Sequence, residues 1–596
     1  MNRQECDVLN TLLSRPYENQ RVTAQLCEHS LGIVNCSLKA LFNDGYIDEH
    51  ARPTAKAVAE VLEKSPKNAI ILAAGLGMRM VPINTETPKG LIEVDKEPLI
   101  ERIIKQLREV GVSKIYVVVG FMKEQYEYLI DKFDAELIVN SDYATKNNLH
   151  SMNLVLDRLS NTYVIPCDIW CRENPFNRRE LYSWYMVGDK TCAGSPIRIN
   201  RKLELVNVPA SVHGNKMIGI SYLLEEQAVL VREEIRQMCG DARYDSRFWE
   251  EALYQQNRMI VQAKVVDSDD AVEINTFEQL RELDGNSRHL NSDVISVIAK
   301  ALKSEPADVT DIEVLKKGMT NRSFLFQCKG KKYIMRIPGE GTDRLINRKE
   351  EAVVYHMIAG RGICDDIAYI DPQSGYKITE FLENARVCDP SSSDDVKKCM
   401  KKLREFHALG MQVDHEFDIF RQIEFYETLW NGQPSAYREY AKTKANVLSL
   451  KSYIDTHAEK KTLTHIDAVP DNFLFVKNEC GEESIRLIDW EYAAMQDPHV
   501  DIAMFCIYSM YDRQQVDNLI RAYFGEDGPS DATRIKIYCY IAACGLLWSN
   551  WCEYKRCFGI EFGEYSLRQY RYAKDYYAAV QDEIKKQTIT NIVEGY

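Results

Sequence analysis

Residues 71–80 read ILAAGLGMRM, and a Thr-Pro-Lys triplet follows at residues 87–89. The apolar run that starts at Ala69 is short and continuous, which is typical of a strand buried on both faces of a parallel sheet. Gly75 and Gly77 come directly after it, and glycines let backbone N–H groups approach a phosphate chain because no Cβ stands in the way. The stretch therefore predicts a phosphate-binding loop at the end of a buried strand.

Two cations accompany the glycines. Arg79 offers a forked guanidinium to phosphate oxygens, and Lys89 follows a proline that stiffens its turn. A glycine pair, an arginine and a Pro-Lys pair behind one strand together resemble the signature of nucleotidyltransferases. We expect Arg79 and Lys89 to be catalytic, and we expect the CTP-binding residues of this loop to be Ala73, Gly75, Gly77, Arg79 and Lys89.

More apolar runs follow at residues 115–120, 136–140 and 162–168, and a helical stretch at residues 99–110 precedes them. Strands that alternate with helices predict a doubly wound α/β sheet, whose ligand lies at the carboxyl ends of the strands. Asp168 ends the last run, where such a sheet presents a metal-binding carboxylate. The alternative is that Asp168 only caps the next loop.

The resemblance extends to cytidylyltransferases and implies further site residues. Asn275, in an element that closes this fold, stands where the second magnesium ligand is commonly Asp, and its neutral oxygen can still bind Mg²⁺. Asn148 and Ser151 resemble a loop near the base and substrate, although Ser151 could instead be a helix N-cap. Trp249 lies in an aromatic-acidic element similar to one that receives phosphocholine, and we expect Glu273 to contact the same substrate.

A second motif lies far downstream. Residues 465–472 read HIDAVPDN, and residues 487–491 read LIDWE. Together they resemble the catalytic loop and metal-binding segment of choline and aminoglycoside kinases. The resemblance implies that Asp467 accepts the hydrogen bond of the substrate hydroxyl as the base, while Asn472 and Asp489 hold Mg²⁺.

The ATP site is expected upstream of that motif, in a small β-rich lobe that precedes a large helical lobe. Arg336 stands where protein kinases carry a lysine, and choline kinases also use arginine there. Glu351 is its expected ion-pair partner, with the adjacent Glu350 as the alternative. The other predicted ATP-binding residues are Gly318, Thr320 and Asn321 in a glycine-bearing turn, and Glu380 and Leu382 at the hinge.

Aromatic residues near the carboxyl terminus point to a quaternary amine. Trp548 and Trp551 are three residues apart and share one helical face, at the place where choline kinases carry a similar pair. A trimethylammonium group donates no hydrogen bonds, so a protein holds it by cation–π contact. We expect Tyr508, Tyr511 and Glu491 to complete the choline site. The alternative is an ordinary packed core face.

Composition limits the class of protein. The 596 residues carry a formal net charge of −14, which argues against nucleic acid as the main partner. No apolar run is long enough for a transmembrane helix, and no secretory signal is visible at the amino terminus. Seventeen cysteines without a CxxC pair indicate reduced thiols. We therefore expect a cytoplasmic enzyme without a membrane partner.

The chain is too long for one core. We expect a small domain at residues 1–62, a nucleotidyltransferase domain at 66–287 and a bilobal kinase-like domain at 290–596. The first resembles the winged helix-turn-helix of bacterial regulators. Its predicted recognition helix, residues 33–43, has Lys39 as its one basic residue, which favours packing or dimerisation over DNA binding.

These features resemble a bacterial fusion of choline kinase and phosphocholine cytidylyltransferase. The fusion would phosphorylate choline with ATP and then make CDP-choline from CTP, with two magnesium sites. Ethanolamine or another amino alcohol is an alternative substrate, and a sugar 1-phosphate is an alternative for the transferase. A choline-responsive transcription regulator with degenerate catalytic modules is the alternative of another class. The sequence leaves the oligomeric state open, with a dimer as one option.

Overall fold

The computed structural model describes residues 1–209, 211–315, 321–339, 345–477, 481–525, 528–557 and 562–594. The chain forms two compact units, Met1–Val297 and Ile298–Tyr596. None of the helices in these described ranges combines the length and the apolarity that are needed to cross a membrane.

The first unit begins with a small helical domain. Its helices are α1 (Arg3–Ser14), α2 (Gln20–Leu26), α3 (Leu31–Asn43) and α4 (Ala55–Lys64). An isolated antiparallel bridge joins Ile47 to Pro53 between α3 and α4. The apolar faces of these helices form one core that also includes Leu181 of the following domain. The hydroxyl of Tyr182 donates a hydrogen bond to Asp7 at 3.2 Å, so the helical domain is attached to the sheet domain by both apolar and polar contacts.

The rest of the first unit is a domain built on a mixed ten-stranded sheet and two separate two-stranded sheets. Its elements are β1 (Asn68–Ala73), β2 (Glu93–Val94), β3 (Glu97–Pro98), α5 (Leu99–Glu109), β4 (Lys114–Val119), α6 (Tyr128–Phe133), β5 (Ala135–Val139), α7 (Asn148–Asn153), β6 (Thr162–Pro166), β7 (Ile169–Cys171), β8 (Trp184–Cys192), β9 (Ile197–Ile199), β10 (Glu204–Asn207), β11 (Gly214–Leu223), α8 (Glu225–Cys239), β12 (Tyr254–Gln255), β13 (Arg258–Val266), β14 (Ala271–Glu273) and α9 (Phe277–Leu283). The helix α10 (Asp293–Leu302) follows.

The strand order places the site. Along the sheet the order is β5-β4-β1-β6-β11-β8-β13-β10-β9, with β12 paired to β13. The strands β5, β4, β1 and β6 are parallel, whereas β11 runs antiparallel to β6. The chain moves from β1 outward to β4 and β5 and then returns to β6 on the other side of β1. The carboxyl ends of β1 and β6 therefore flank a topological switch point, where open α/β sheets bind ligands.

Alternation along β1 explains its continuous apolar sequence. Ile71 packs into the core on one face of the sheet, and Ile70 and Leu72 pack into the core on the other face. A strand covered on both faces needs apolar residues at every position. The predicted α/β class is confirmed for this unit, although strands added antiparallel make the sheet mixed.

The second unit starts with a small lobe whose five strands pair antiparallel in the order β15-β16-β17-β19-β18. Its elements are β15 (Val309–Val314), β16 (Asn321–Cys328), β17 (Lys331–Pro338), α11 (Arg348–Ile358), β18 (Ile367–Ile370) and β19 (Lys377–Glu380). β16 and β17 form a hairpin within the β-rich lobe that was predicted upstream of residue 465. Gly318 and Thr320 lie outside the described residues.

A larger, mainly helical lobe follows. Its elements are β20 (Ala385–Val387), α12 (Ser393–Ala408), α13 (Ile419–Thr428), α14 (Tyr440–Ser449), α15 (Lys451–His457), β21 (Thr462–Thr464), β22 (Phe473–Lys477), β23 (Glu483–Leu487), β24 (Ala494–Gln496), α16 (Val500–Tyr508), α17 (Arg513–Phe524), α18 (Asp531–Arg556) and α19 (Glu564–Glu594). The buried helix α18 lies at the centre of this lobe, and glycine at 545 lets it approach α19, because a Cβ there would lie 2.7 Å from Tyr572. The bilobal kinase-like fold is confirmed.

Candidate active sites

A cavity of about 1240 Å³ opens at the switch point of the sheet. Among the residues of the first unit that were predicted to form a site, it is lined by Gly75, Gly77, Arg79, Lys89, Asn148, Ser151, Asp168, Glu273 and Asn275. Ala73 is the last residue of β1 and is buried directly before the loop. The structure therefore brings the glycine loop, its cations and the predicted metal ligands to one place.

The ammonium of Lys89 lies between the two predicted metal ligands. Its Nζ is 2.7 Å from Oδ2 of Asp168 and 2.7 Å from Oδ1 of Asn275. A single cation thus already bridges a carboxylate and an amide oxygen. Oxygen donors of this kind are those that Mg²⁺ prefers, so these residues fit the ion that nucleotidyltransferases employ.

Gly77 shapes this arrangement. Its φ of +60° lies in the left-handed region, and a Cβ at this position would come within 2.9 Å of Cγ of Lys89. The absence of a side chain therefore lets the lysine pass under the loop toward Asp168. Glycine at position 77 thus makes space for Lys89, in addition to its predicted role in phosphate binding.

Part of the cavity wall is acidic and aromatic. Glu250, Glu273, Tyr185 and Phe248 line it. The Tyr185 hydroxyl donates to Oε1 of Glu250 at 3.4 Å, and Oε2 of Glu250 has no hydrogen-bond partner among the described residues. Burial raises the pKa of Glu250 to about 7, and the negative charge of Glu273 adds to the shift. Glu273 also lies beside Asn275 and Lys89, so Glu250 is the carboxyl that suits a cationic group of a ligand.

Trp249 does not line this cavity. Its side chain is fully buried in the core under the sheet, while the neighbouring residues Phe248 and Glu250 face the cavity. The backbone N–H of Trp249 donates to Oδ1 of Asn148 at 2.9 Å. Asn148 therefore holds this turn, in addition to lining the cavity. Ser151 is not the N-cap of α7, which is Asn147, and its hydroxyl accepts a hydrogen bond from Asn140.

In the second unit, the predicted catalytic motif forms an acidic cluster. The amide of Asn472 donates to the carbonyl oxygen of Asp467 at 2.8 Å and to its Oδ2 at 3.3 Å. Burial raises the pKa of Asp467 to about 8, and the negative charges of Asp489 and Glu491 add to the shift. Carboxylates crowded in this way fit a site that is completed by divalent cations.

The backbone of the loop that carries Asp467 is held by the side chain of Asp501. Oδ2 of Asp501, at the start of α16, accepts the backbone N–H of His465 at 3.0 Å, and Oδ1 accepts that of Ile466 at 2.8 Å. Ile466 has φ +69°, a backbone conformation that needs such support. The imidazole of His465 is fully buried and bonds through Nε2 to the carbonyl of Ile488.

The predicted ion pair of the ATP site is present. Nη2 of Arg336 lies 2.9 Å from Oε2 of Glu351, and both side chains are buried. The adjacent Glu350 thus remains outside the pair. Although burial acts in the opposite direction, Arg336 and Lys377 lower the pKa of Glu351 to about 2. Glu380 ends β19, two residues before Leu382, where the chain leaves for the helical lobe.

The side chain of Glu491 contacts residues of the small lobe. Its Oε2 accepts a hydrogen bond from Nδ2 of Asn321 at 2.9 Å and lies 3.3 Å from Nη1 of Arg348 and 3.5 Å from Nη1 of Arg336. These contacts join Glu491 to the small lobe, and its predicted contact with the substrate stays a prediction. Arg348 was missed from the sequence, because two of its partners, Asn321 and Glu491, come from distant segments.

Aromatic side chains cluster at the inner face of α18. The rings of Trp548 and Trp551 lie 5.6 Å apart and edge to face, and Tyr492 packs on Trp548 at 5.9 Å. Tyr492 was missed from the sequence, although it directly follows the LIDWE motif. Tyr508 donates a hydrogen bond to Asp471 of the catalytic loop at 2.7 Å. Tyr511 points elsewhere, since its hydroxyl bonds to the carbonyl of Pro390.

The comparisons with known proteins cover both units. A family model described as MobA-like NTP transferase domain matches residues 69–181, and one described as Choline/ethanolamine kinase matches residues 312–521.

Among curated proteins, the choline-phosphate cytidylyltransferase of Streptococcus pneumoniae is 30% identical over 221 residues, 36% of this chain and 96% of that protein. The 2-aminoethylphosphonate cytidylyltransferase of Lancefieldella rimae is 32% identical over 31% of this chain and 78% of that protein. A solved structure of choline kinase from Streptococcus pneumoniae is 29% identical, covers 48% of this chain and 100% of that chain, and has a TM-score of 0.43. The chain therefore belongs to the choline-phosphate cytidylyltransferase family through its first unit, and its second unit matches the choline/ethanolamine kinase family model.

Proposed function

We propose that the chain makes CDP-choline in two consecutive reactions. In the second unit, the hydroxyl of choline attacks the γ-phosphorus of ATP, which gives phosphocholine and ADP. In the first unit, a phosphate oxygen of phosphocholine attacks the α-phosphorus of CTP, which gives CDP-choline and pyrophosphate. The observation that carries the proposal is that each unit has its own acidic centre, built from different residues.

In the kinase reaction, Asp467 is the base that takes the proton of the choline hydroxyl. Arg336, held by Glu351, neutralises phosphate charge, and Asn472 and Asp489 would hold Mg²⁺. The aromatic cluster of Trp548, Trp551 and Tyr492 supports a quaternary amine as the substrate, because cation–π contact needs no hydrogen-bond donor on the ligand.

In the transferase reaction, the glycine loop and Arg79 bind the triphosphate, and Lys89 stabilises the charge that develops at the α-phosphate. Asp168 and Asn275 would hold Mg²⁺, which when bound neutralises the triphosphate and holds the attack in line. Glu250 and Glu273 face the cavity where the trimethylammonium group would lie.

A cytoplasmic location belongs to this proposal. Every cysteine in the described part of the chain is unpaired, as is usual for reduced proteins of that compartment. ATP, CTP, choline and phosphocholine are its small-molecule partners.

The test is incubation of the full chain with ATP, CTP and Mg²⁺ together with choline, ethanolamine or 2-aminoethylphosphonate, with products identified by mass. We expect phosphocholine and then CDP-choline. A preference for ethanolamine would refute the choice of amine. Nucleotide transfer to 2-aminoethylphosphonate but not to phosphocholine would refute the coupling of the two reactions.

A further inference from the structure

The metal-binding segment of the kinase unit is a short turn between its two lobes. Asp489 follows β23 and has φ +66°, in the left-handed region that a side chain other than glycine rarely adopts. Such a conformation persists only where surrounding contacts hold it. Contacts on the next two residues, Trp490 and Glu491, come from the small lobe.

The first contact is made by the hydroxyl of Tyr355 on α11. The backbone N–H of Trp490 donates to this oxygen at 3.3 Å, and Nζ of Lys377 donates to it at 2.5 Å. Tyr355 is 1% exposed, so water does not replace these bonds easily. One phenolic oxygen therefore joins a strand and a helix of the small lobe to the backbone directly after Asp489.

The second contact is made by the side chain of Glu491. Its Oε2 accepts hydrogen bonds from Asn321 on β16 and from Nη1 of Arg348 on α11. The same Nη1 of Arg348 lies 2.9 Å from Oε2 of Glu351. Arg348 thus connects Glu491 to the carboxylate that pairs with Arg336. The backbone makes room for it at Gly375, where a Cβ would lie 2.9 Å from Cδ of Arg348.

Residues of the helical lobe pack around Trp490 in the same turn. The indole of Trp490 is fully buried, lies edge to face against Phe406 at 4.9 Å and contacts His465 at 4.5 Å. The side chain of Trp490 is therefore fixed by one lobe and its backbone N–H by the other. The position of Asp489 depends on both lobes at once.

We propose that Tyr355 and Arg348 are positioning residues that hold Asp489 from the small lobe, so that the kinase unit binds metal and nucleotide only in this arrangement of its lobes. This inference rests on the kinase half of the proposed function. Neither residue touches the reacting atoms, and each acts through the residue that follows Asp489 by one or two positions.

The main test is Tyr355→Phe, which removes one oxygen and keeps the ring. We expect weaker binding of Mn²⁺-ATP, measured by electron paramagnetic resonance of free Mn²⁺. We also expect a drop in kinase kcat of about tenfold, the effect of about 1.4 kcal/mol on a barrier. The matched control is Tyr570→Phe, which removes another buried hydroxyl of the same unit, bonded to Thr443 at 2.8 Å; it should change neither value.

A second variant, Arg348→Lys, keeps the charge but loses the fork that reaches two carboxylates. We expect it to weaken Mn²⁺-ATP binding while the melting temperature stays within the range of the Tyr570→Phe control. If both variants bind Mn²⁺-ATP as the wild type does, the positioning role is refuted. If the wild type binds Mn²⁺-ATP but phosphorylates neither choline nor ethanolamine, the proposed function fails while this test still stands.

Discussion

Single residues in the transferase cavity carry charges that the ligand must complement. Glu250 is buried beside Tyr185 and close enough to Glu273 for their charges to interact. A buried carboxyl without a cation prefers its neutral form, and a bound cation restores the charged form. The protonation of Glu250 is therefore linked to the occupancy of this part of the cavity.

This linkage predicts a pH effect on substrate binding. Because the pKa of Glu250 is about 7, the residue becomes neutral as the pH falls below that value, and attraction for the trimethylammonium group is lost. We expect the KM for phosphocholine to rise between about pH 8 and about pH 6, measured by pyrophosphate release. Glu250→Gln should have a high KM and lack this part of the pH dependence.

The comparison of wild type and Glu250→Gln cancels the titration of the substrate's own phosphate. Glu225→Gln is the matched control, since Glu225 pairs with Arg232 and does not line the cavity. Identical pH profiles for wild type and Glu250→Gln would show that this carboxyl does not face the cation.

At the scale of elements, helix α18 carries both core residues and the aromatic residues proposed to bind choline. Trp551 is 4% exposed and belongs to the core of the helical lobe, whereas Trp548 is only partly buried beside Tyr492. The two tryptophans share a face of the helix, yet they differ in access to a ligand.

We therefore expect Trp548→Ala to raise the KM for choline by about tenfold or more, consistent with a cation–π contact of about 1–2 kcal/mol, and to leave the KM for ATP nearly unchanged. Trp551→Ala should also lower the stability of the unit by about 3–5 kcal/mol, because it leaves a cavity in the core. Kinase kinetics and thermal unfolding measure the two effects. An unchanged choline KM in Trp548→Ala would contradict the aromatic site.

Elements with strong local patterns could be predicted from the sequence. The strand before Gly75 and the loop around Asp467 follow from residues that are adjacent in the chain, and the structure has both. Trp249 and Glu250 show the limit. In a short 3-10 turn, neighbours face opposite sides, and no periodicity indicates which of them lines the cavity.

The partners of Glu491 show a second limit. They lie 143 to 170 positions away, so only the folded lobes bring them together. The same holds for the packing of the helices at the amino terminus around Leu181. The resemblance of these helices to a winged helix-turn-helix stays a prediction.

At the scale of the whole molecule, the two acidic centres share no residues and belong to separate compact units. Loss of one centre should therefore abolish one reaction and leave the other intact. We expect Asp467→Ala to abolish choline phosphorylation and to leave CDP-choline synthesis from added phosphocholine intact, and we expect Asp168→Ala to do the reverse.

A mixture of the two variants, each of which lacks one activity, should make CDP-choline from choline. Phosphocholine that is released by Asp168→Ala can reach Asp467→Ala. Product formation by the mixture, followed by mass, tests this independence. Each variant alone is the control. If the mixture stays inactive although each variant keeps its remaining activity, the intermediate does not pass between molecules.

The lysine between Asp168 and Asn275 has a consequence for the order of events. A divalent ion can occupy that gap only after the ammonium has moved, and bare water offers the displaced charge no anionic partner. An incoming triphosphate does offer one. Magnesium and the nucleotide should therefore bind best as a preformed complex. Free magnesium alone should bind weakly, because Lys89 already fills the gap between Asp168 and Asn275.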